Sequence, residues 1–233
     1  MITVYTICFN ESLMLPHFIA HYRKNFPECK IVVYDNGSTD NTAQIALDAG
    51  CEVREHDTGG KLSDKDYLRI KNNCWKTATT DWVLVADCDE LLQITEKELT
   101  AQARRDCTIV DAEGWNMVNL ADNLNIEAID HAVRAKSYDK AYLFNRKHIK
   151  EINYGMGCHS CVPHGYINYG NRKFKCFHYK YINLDYMINR HRIFAERLSE
   201  ENKAKGYGGH YLYTPEQIRT EFFTARHNSI KIK

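Results

Sequence analysis

The feature that most constrains this chain is the stretch Asp81–Glu90, with the sequence DWVLVADCDE. Its apolar, β-prone residues Trp82–Val85 are typical of a strand buried on both faces of a parallel sheet. Acids cannot continue such a strand cheaply, so they indicate where it emerges at the sheet edge. In extended chain Asp87 and Asp89 point the same way and can share a hard cation. We therefore predict a metal-binding carboxylate pair here. The simpler alternative is a helix cap at Asp87 followed by solvated loop charge.

The first 90 residues alternate between strand and helix patterns. Strands are predicted at Ile2–Phe9, Lys30–Tyr34, Cys51–His56 and Trp82–Val85, with an amphipathic helix in each interval. This alternation indicates an α/β fold with a mostly parallel central sheet and helices on both faces. Right-handed crossovers predict the strand order 3-2-1-4, which makes the ends of the first and fourth strands a ligand-binding switch point. The polar residues expected around that crevice are Asn10, Glu11, Asp35, Asn36, Asp87, Cys88 and Asp89.

The second half of the chain has weaker patterns. Capping boxes begin helices at Thr95 and Thr214, and a helical stripe begins at Leu184. Two strands are expected within Tyr138–Ile149, paired with each other, and another strand at Lys173–Tyr181. These patterns predict C-terminal helices after the sheet-forming region.

Composition excludes several classes of protein. A formal net charge of +1 over 233 residues argues against a nucleic-acid partner. The sequence has no apolar run of bilayer-spanning length and no signal-peptide pattern, so a soluble, cytoplasmic protein is expected, and peripheral membrane contact stays compatible with it. Nine scattered cysteines fit reduced thiols rather than a disulfide framework. The sequence predicts no particular oligomeric state.

Two segments carry a family resemblance. The octapeptide DNGSTDNT at Asp35–Thr42 resembles the acidic donor loop of the family 2 glycosyltransferases, and Asp81–Leu92 resembles the segment that holds their D-x-D motif. The resemblance covers roughly residues 1–95 well. It implies a GT-A fold that transfers a sugar, with inversion, from a UDP- or GDP-sugar to a glycan or other hydroxyl-bearing acceptor such as a glycoconjugate. It also implies Mn²⁺ or Mg²⁺ as the cofactor.

The resemblance also implies residue roles. Asp35 would contact the nucleotide base or ribose, Asp87 the ribose or the metal, and Asp89 the ion that holds the diphosphate. His178, followed by Tyr179, resembles the His-Tyr near the end of the catalytic domain in one branch, which implies a metal or diphosphate contact. The alternative for His178 is a core histidine with one satisfied hydrogen bond.

Further donor contacts are predicted around this centre. Asn10, Glu11 and Cys88 are expected to line the donor site. Lys61 and Arg69, on a Gly-rich loop and the next helix, could add charge-assisted bonds to the base or phosphate. Solvated surface charge is the alternative for both cations.

An inverting transfer needs a base for the acceptor hydroxyl. No Glu-Asp pair stands at the family's usual place, so the candidates are Glu113, Asp130, Asp139, Glu151 and His159. We predict Glu151 and His159 as catalytic residues, together with Asp89. His164 is a further residue for acceptor binding or base catalysis.

The domain organisation follows from these assignments. We expect one GT-A catalytic domain over residues 1–181, with a nucleotide-sugar-binding half at 1–95 and an acceptor-side half at 96–181. Residues 182–233 would form a helical extension.

Two other functions are open at this point. Cys158, Cys161, Cys176 and His178 have the types and spacing of a tetrahedral zinc site, which would suit a binding or structural module. A nucleotidyltransferase would also use an α/β sheet and an acidic metal site. The absence of a Gly- and basic-rich loop after the first strand argues against it.

Overall fold

A computed structural model describes all 233 residues and confirms the α/β fold class. The strands are β1 (Ile2–Cys8), β2 (Lys30–Asp35), β3 (Glu52–Glu55), β4 (Trp82–Val85), β5 (Glu90–Leu92), β6 (Ile109–Val110), β7 (Ala112–Val118), β8 (His131–Arg134), β9 (Leu143–Asn145), β10 (Ile149–Glu151), β11 (His164–Gly165), β12 (Phe174–Tyr181) and β13 (Ile230–Lys231). The helices are α1 (Leu15–Asn25), α2 (Thr42–Asp48), α3 (Asp64–Asn73), α4 (Glu96–Ala103), α5 (Leu184–Arg197), α6 (Glu200–Lys205) and α7 (Pro215–Asn228).

The central sheet has six strands in the order β3-β2-β1-β4-β9-β6. The first four strands are mutually parallel, so the predicted order 3-2-1-4 is confirmed. The added strands β9 and β6 run antiparallel to their neighbours. The carboxyl ends of β1 and β4 therefore lie side by side at the switch point.

Helices cover both faces of this sheet. Val4 of β1 packs in one apolar cluster with Phe18 of α1. Its neighbour Tyr5 packs in a second cluster with Ile70 of α3. Since successive strand residues point to opposite faces, each face of β1 needs its own cover. That requirement explains why the strand is apolar without alternation.

A second sheet has five strands in the order β13-β8-β7-β12-β5. Its edge strand β5 begins at Glu90, directly after the D-x-D segment, and pairs antiparallel with β12. In that register His178 lies opposite Glu90. The pairing is why a histidine so far along the chain reaches the acidic turn.

One predicted pairing is wrong. The segment Tyr138–Ile149 does not form a two-stranded unit, because β9 inserts between β4 and β6 in the central sheet. The strand β10 instead pairs with β11 in a separate ribbon. The strands that pair with β9 and β10 all lie outside this segment, so patterns within it could not identify them.

The C-terminal helices fold back on the sheets. Their own apolar clusters hold them there, with Phe222 of α7 packed near Met187 of α5, and Leu198 packed against Leu62. Backbone bonds between Leu62 and the end of α5 fix the position of that helix. The predicted capping boxes at Thr95 and Thr214 are confirmed. No helix is both long and apolar enough to cross a membrane.

Candidate active site

A cavity of about 470 Å³ lies at the carboxyl ends of β1 and β4. The two sheets and the C-terminal segment meet there, and each contributes part of the wall. The lining of this cavity includes Glu11, Lys71, Asp87, Cys88, Asp89, Tyr138, His159, His178, Arg190 and Tyr211. Six of these were predicted site residues: Glu11, Asp87, Cys88, Asp89, His159 and His178.

The D-x-D segment forms a tight turn between β4 and β5. The amide N–H of Glu90 donates to the carbonyl of Asp87 at 3.0 Å, which closes the turn. The Glu90 carboxylate accepts from the Asp87 amide at 2.9 Å. Glu90 is fully buried, so its carboxylate stabilises the turn from the protein interior. The two aspartates face the cavity because the turn is held from the protein side.

Asp87 lies beside two buried lysines. Lys71 of α3 contacts its Oδ1 at 2.5 Å, and Lys140 lies 3.9 Å from its Oδ2 while contacting Glu90 at 2.5 Å. Loss of surrounding water raises the pKa of Asp87, but Lys71 and then Lys140 lower it further, so the carboxyl stays ionised. The lysines therefore fix Asp87 as a carboxylate.

Asp89 has different neighbours. Its Oδ2 lies 3.5 Å from Nε2 of His178 and 3.5 Å from Nη2 of Arg190. Burial raises the pKa of Asp89, yet His178 and Arg190 together hold it below its usual range. Its backbone carbonyl accepts from the amide of Tyr179, which locks β5 to β12. Asp89 is thus charged and placed against β12.

His178 is held in one orientation. Its Nδ1 lies 2.7 Å from Oδ1 of Asn116 on β7, so the ring N–H donates to that amide oxygen. The Tyr138 ring stacks on the imidazole with centroids 4.0 Å apart. A ligand histidine is ordinarily oriented by just such a bond from its other nitrogen. Nε2 of His178 therefore faces Asp89 and the cavity.

These residues fit a divalent cation by donor type and spacing. Ligands at about 2.1 Å from one octahedral ion lie about 3 Å apart, close to the separation of the Asp89 carboxylate and Nε2 of His178. Mg²⁺-type sites commonly use one or two carboxylates together with substrate phosphates. No group of three or more His, Cys, Asp or Glu side chains could hold an ion on its own. The protein therefore offers part of a coordination shell that a phosphate-bearing ligand would complete.

Glu11 and Arg190 form a pair across the cavity. Nη1 of Arg190 contacts Oε1 of Glu11 at 2.7 Å. The other carboxylate oxygen of Glu11 is buried and has no hydrogen-bond partner. Burial raises the pKa of Glu11 to about 7, against the opposing effect of Arg190. This pair is incompletely satisfied, unlike the pair between Lys140 and Glu90.

His159 lies between two cavities. Its Nδ1 is 2.9 Å from the carbonyl of Ser137, so the ring N–H donates there and Nε2 stays free. Partial enclosure lowers the pKa of His159, and the charge of Lys140 adds to that effect. On its far side is a second cavity of about 420 Å³, also lined by Asp111, Asp139 and Tyr169. The imidazole of His159 thus lines both the acidic cleft and the second cavity.

Five predicted site residues do not line the acidic cleft. Asn10 bonds through its side chain to Thr39 and so ties two loops together. Asp35 is buried and accepts from the amide of Ser38 at 3.1 Å. Lys61 is exposed. The other two residues are Arg69 and Glu151.

Arg69 and Glu151 point elsewhere for simple geometric reasons. Arg69 lies on the outer face of α3, where it pairs with Asp66 at 3.6 Å, while Lys71 of the same helix turns inward. Glu151 lies on β10 and pairs with Lys76 at 2.7 Å. The structure therefore brings His159 to the cleft and leaves Glu151 outside it.

The remaining base candidates are already engaged. Glu113 accepts from the indole N–H of Trp115 at 2.7 Å. Asp130 lies between His131 and Lys231, and Asp139 accepts from the amide of Gly114 at 2.8 Å. His164 is exposed on β11.

The predicted zinc ligands do not come together. Cys158 is buried in the apolar cluster on the α3 side of the sheet, where Cys161 packs against it. Cys176 lies in the other cluster. His178 is turned toward Asp89 instead. A closed tetrahedral site needs all four side chains around one point, so the zinc-module alternative is not supported.

Sequence reasoning missed three cations of the site. Lys71, Lys140 and Arg190 come from α3, the segment before β9 and α5, and each reaches a carboxylate of the turn or of Glu11. The only usable signal was Lys71, which stands on the otherwise apolar face of its helix. Arg190 sits one residue before the predicted apolar stripe position His191 and gave no signal.

Paired carboxylates beside oriented basic groups at the switch point of a mostly parallel sheet stand where open α/β proteins bind their ligands. The family model for glycosyl transferase family 2 matches residues 3–162. That match covers more than half of the chain. The chain therefore belongs to glycosyl transferase family 2, and the expected family is confirmed.

Curated relatives match over shorter stretches. Protein RfbJ of Shigella flexneri is 42% identical over 60 residues, which cover 26% of this chain and 46% of that protein. A TPR repeat-containing protein of Synechococcus elongatus is 34% identical over 83 residues, which cover 36% of this chain and 19% of that protein. The chain thus spans less than half the length of either relative.

Solved structures show distant similarity. TarS of S. aureus (residues 1–349) in complex with UDP-GlcNAc is 13% identical with a TM-score of 0.47, covering 95% of this chain and 71% of that one. The mannosyltransferase PcManGT of Pyrobaculum calidifontis, in complex with GDP-Man and Mn²⁺, is 13% identical with a TM-score of 0.46, covering 84% and 62%.

Proposed function

We propose that this protein transfers a sugar from a nucleotide-sugar donor, a UDP- or GDP-sugar, to a hydroxyl of a glycan or glycoconjugate. Family membership supports the reaction class. The observation that carries the proposal is the placement of Asp89 beside the oriented Nε2 of His178, in a cleft at the switch point of the sheet. That arrangement suits a diphosphate and its cation better than any other ligand the sequence suggested.

Asp89 and His178 would hold Mn²⁺ or Mg²⁺, with Asp87 as a further carboxylate beside them. Bound there, the ion would act as a Lewis acid that neutralises the charge developing on the nucleoside diphosphate leaving group. Asp87 is already balanced by Lys71 at 2.5 Å. We therefore assign Asp87 mainly to the ribose and Asp89 to the ion.

His159 is the proposed general base. An acceptor oxygen attacks the anomeric carbon of the donor while its proton passes to Nε2 of His159. The new C–O bond forms on the face opposite the breaking bond to the diphosphate oxygen, which departs with the electron pair, so the configuration inverts. The bond from Nδ1 of His159 to Ser137 favours this role, because it leaves Nε2 as the unprotonated nitrogen.

The second cavity is the proposed acceptor side. The carboxylate of Asp111 can accept hydrogen bonds from sugar hydroxyls there, and Tyr169 offers an aromatic face. We retain the proposed division into a catalytic domain over residues 1–181 and a helical extension over 182–233. Asp35, whose Oδ1 is buried without a partner, keeps its proposed role toward the base or ribose.

Calorimetry with the wild-type protein tests this function. Titrations with UDP and with GDP are run with Mn²⁺, with Mg²⁺ and with a chelator, and Asp89→Asn is the matched variant. We expect one nucleotide to bind with the metal, and binding to weaken at least about tenfold, or about 1.4 kcal/mol, with the chelator or in the variant. If neither nucleotide binds, the transferase proposal is wrong. If the nucleotide affinity is the same with the chelator as with the metal, only the proposed role of the metal is wrong.

A further inference from the structure

Arg190 lies outside the part of the chain that the family model matches, residues 3–162. It projects from α5 and reaches two loops of the catalytic domain. Nη1 contacts Glu11 after β1 at 2.7 Å, and Nη2 lies 3.5 Å from Asp89 after β4. The guanidinium therefore spans the gap between the two strand ends that form the switch point.

The contacts of Arg190 with its two carboxylates are incomplete. A structural buried ion pair is stabilising only when its remaining lone pairs and protons are satisfied. Here one oxygen of Glu11 is buried without a partner, and the Asp89 contact is long. About a quarter of the Arg190 side chain is exposed, whereas Lys71 and Lys140 are almost fully enclosed. Arg190 is the cation of the cleft that a ligand can reach.

Arg190 is not needed to hold α5 in place. The helix packs through Met187 and Phe194 in two apolar clusters. Its end is bonded to Leu62 through the backbone on both sides of Leu198. Asn202, just beyond, accepts from the amide of Asp64 at 3.3 Å. These anchors make a purely structural role for the guanidinium redundant.

We propose that Arg190 is a donor-binding residue, supplied by the C-terminal extension, whose guanidinium exchanges part of its contact with Glu11 for the diphosphate of the nucleotide sugar. This inference rests on the proposed function. A guanidinium presents several N–H donors in one plane and matches phosphate oxygens two at a time. Asp89, which lies 3.5 Å from Nη2 of Arg190, would hold the ion near the same diphosphate. The leaving group would then contact both a metal and an arginine.

The test compares nucleoside diphosphate with nucleoside. Affinities for UDP and uridine, or for GDP and guanosine, are measured with Mn²⁺ for wild type, Arg190→Gln and Arg190→Lys. Arg192→Gln is the matched control, because Arg192 lies on the exposed side of the same helix and pairs only with Glu196 and Asn189. Melting temperatures are recorded on the same preparations.

We expect Arg190→Gln to weaken the diphosphate at least about tenfold while nucleoside affinity stays close to wild type. The melting temperature should fall, because the buried Glu11 carboxylate loses its partner. The diphosphate affinity of Arg190→Lys should lie between those of wild type and Arg190→Gln. Lysine keeps the positive charge but lacks the planar set of N–H donors of the guanidinium. Equal losses for diphosphate and nucleoside, or no loss in either variant, would overturn the assignment. If wild type binds no nucleotide, the proposed function itself is wrong. If Arg190→Gln does not fold, the Arg190→Lys comparison decides.

Discussion

At the scale of single residues, the site depends on the different neighbours of its two aspartates. Asp87 and Asp89 are two positions apart, yet lysines surround one while a histidine and an arginine surround the other. The buried Glu90 and Lys140 pair lies beneath both and fixes the turn. One short motif can therefore supply a fixed carboxylate and a carboxylate available to an ion.

His159 carries a prediction about pH. Because its pKa is lowered by partial enclosure and by the nearby charge of Lys140, the imidazole stays neutral below the ordinary histidine range. The acid limb of kcat/KM should therefore lie below a pH of about 6.5. His159→Gln should reduce turnover at least about 100-fold with donor affinity unchanged. Activity assays from pH 5 to 8, with calorimetry on the variant, check both points.

The control for this prediction is His164→Gln, since His164 is exposed on β11 and away from the cleft. That variant should behave as wild type. Near-normal turnover in a folded His159→Gln protein would remove His159 as the base.

The sequence predicted the acids of the site better than its cations. Asp87, Asp89 and Glu11 follow strands whose order could be predicted, so their meeting point could be predicted too. Lys71, Lys140 and Arg190 reach the site through long side chains from three separate segments. A local pattern does not show which way such a side chain turns, and Arg69 and Lys71, two positions apart, point in different directions.

At the scale of elements, the first half of the chain followed its patterns closely, and β4 matches its predicted bounds Trp82–Val85. The three-residue strand β5 was not predicted, because it is too short to show a period. The pairing of β9 was predicted wrongly, because its two partners, β4 and β6, come from distant parts of the sequence. Errors therefore fall where pairing is non-local.

The helix α5 carries a prediction about stability. His191 is buried on it, its Nδ1 has no hydrogen-bond partner, and burial lowers its pKa. Below about pH 6.5 the unfolded chain binds this proton and the folded one resists it, so the free energy of unfolding falls as pH falls. The charged or titratable groups around it are Lys180, Glu221, Arg190, His210 and Tyr211.

Thermal melts at pH 7.5 and 5.5 measure this effect. His191→Gln should show a smaller loss of melting temperature on acidification than wild type. His227→Gln, on the exposed side of α7, should leave the wild-type loss unchanged. An identical acid loss in wild type and His191→Gln would show that His191 does not contribute.

At the scale of the whole molecule, the site is a junction. The central sheet supplies the strand ends, the second sheet supplies His178, and the C-terminal segment supplies Arg190 and Tyr211 to the same cavity. The family match ends at residue 162, before both His178 and Arg190. The matched region therefore holds the acids, and the rest of the chain completes the cleft around them.

The most direct test of the central claim is a crystal structure of the protein with Mn²⁺ and the nucleoside diphosphate that it binds. The proposed function predicts an anomalous manganese peak within about 2–2.6 Å of an Asp89 oxygen and of Nε2 of His178. It also predicts the diphosphate between that peak and Arg190. A nucleotide bound with no peak at Asp89, or a diphosphate located outside this cleft, would contradict it.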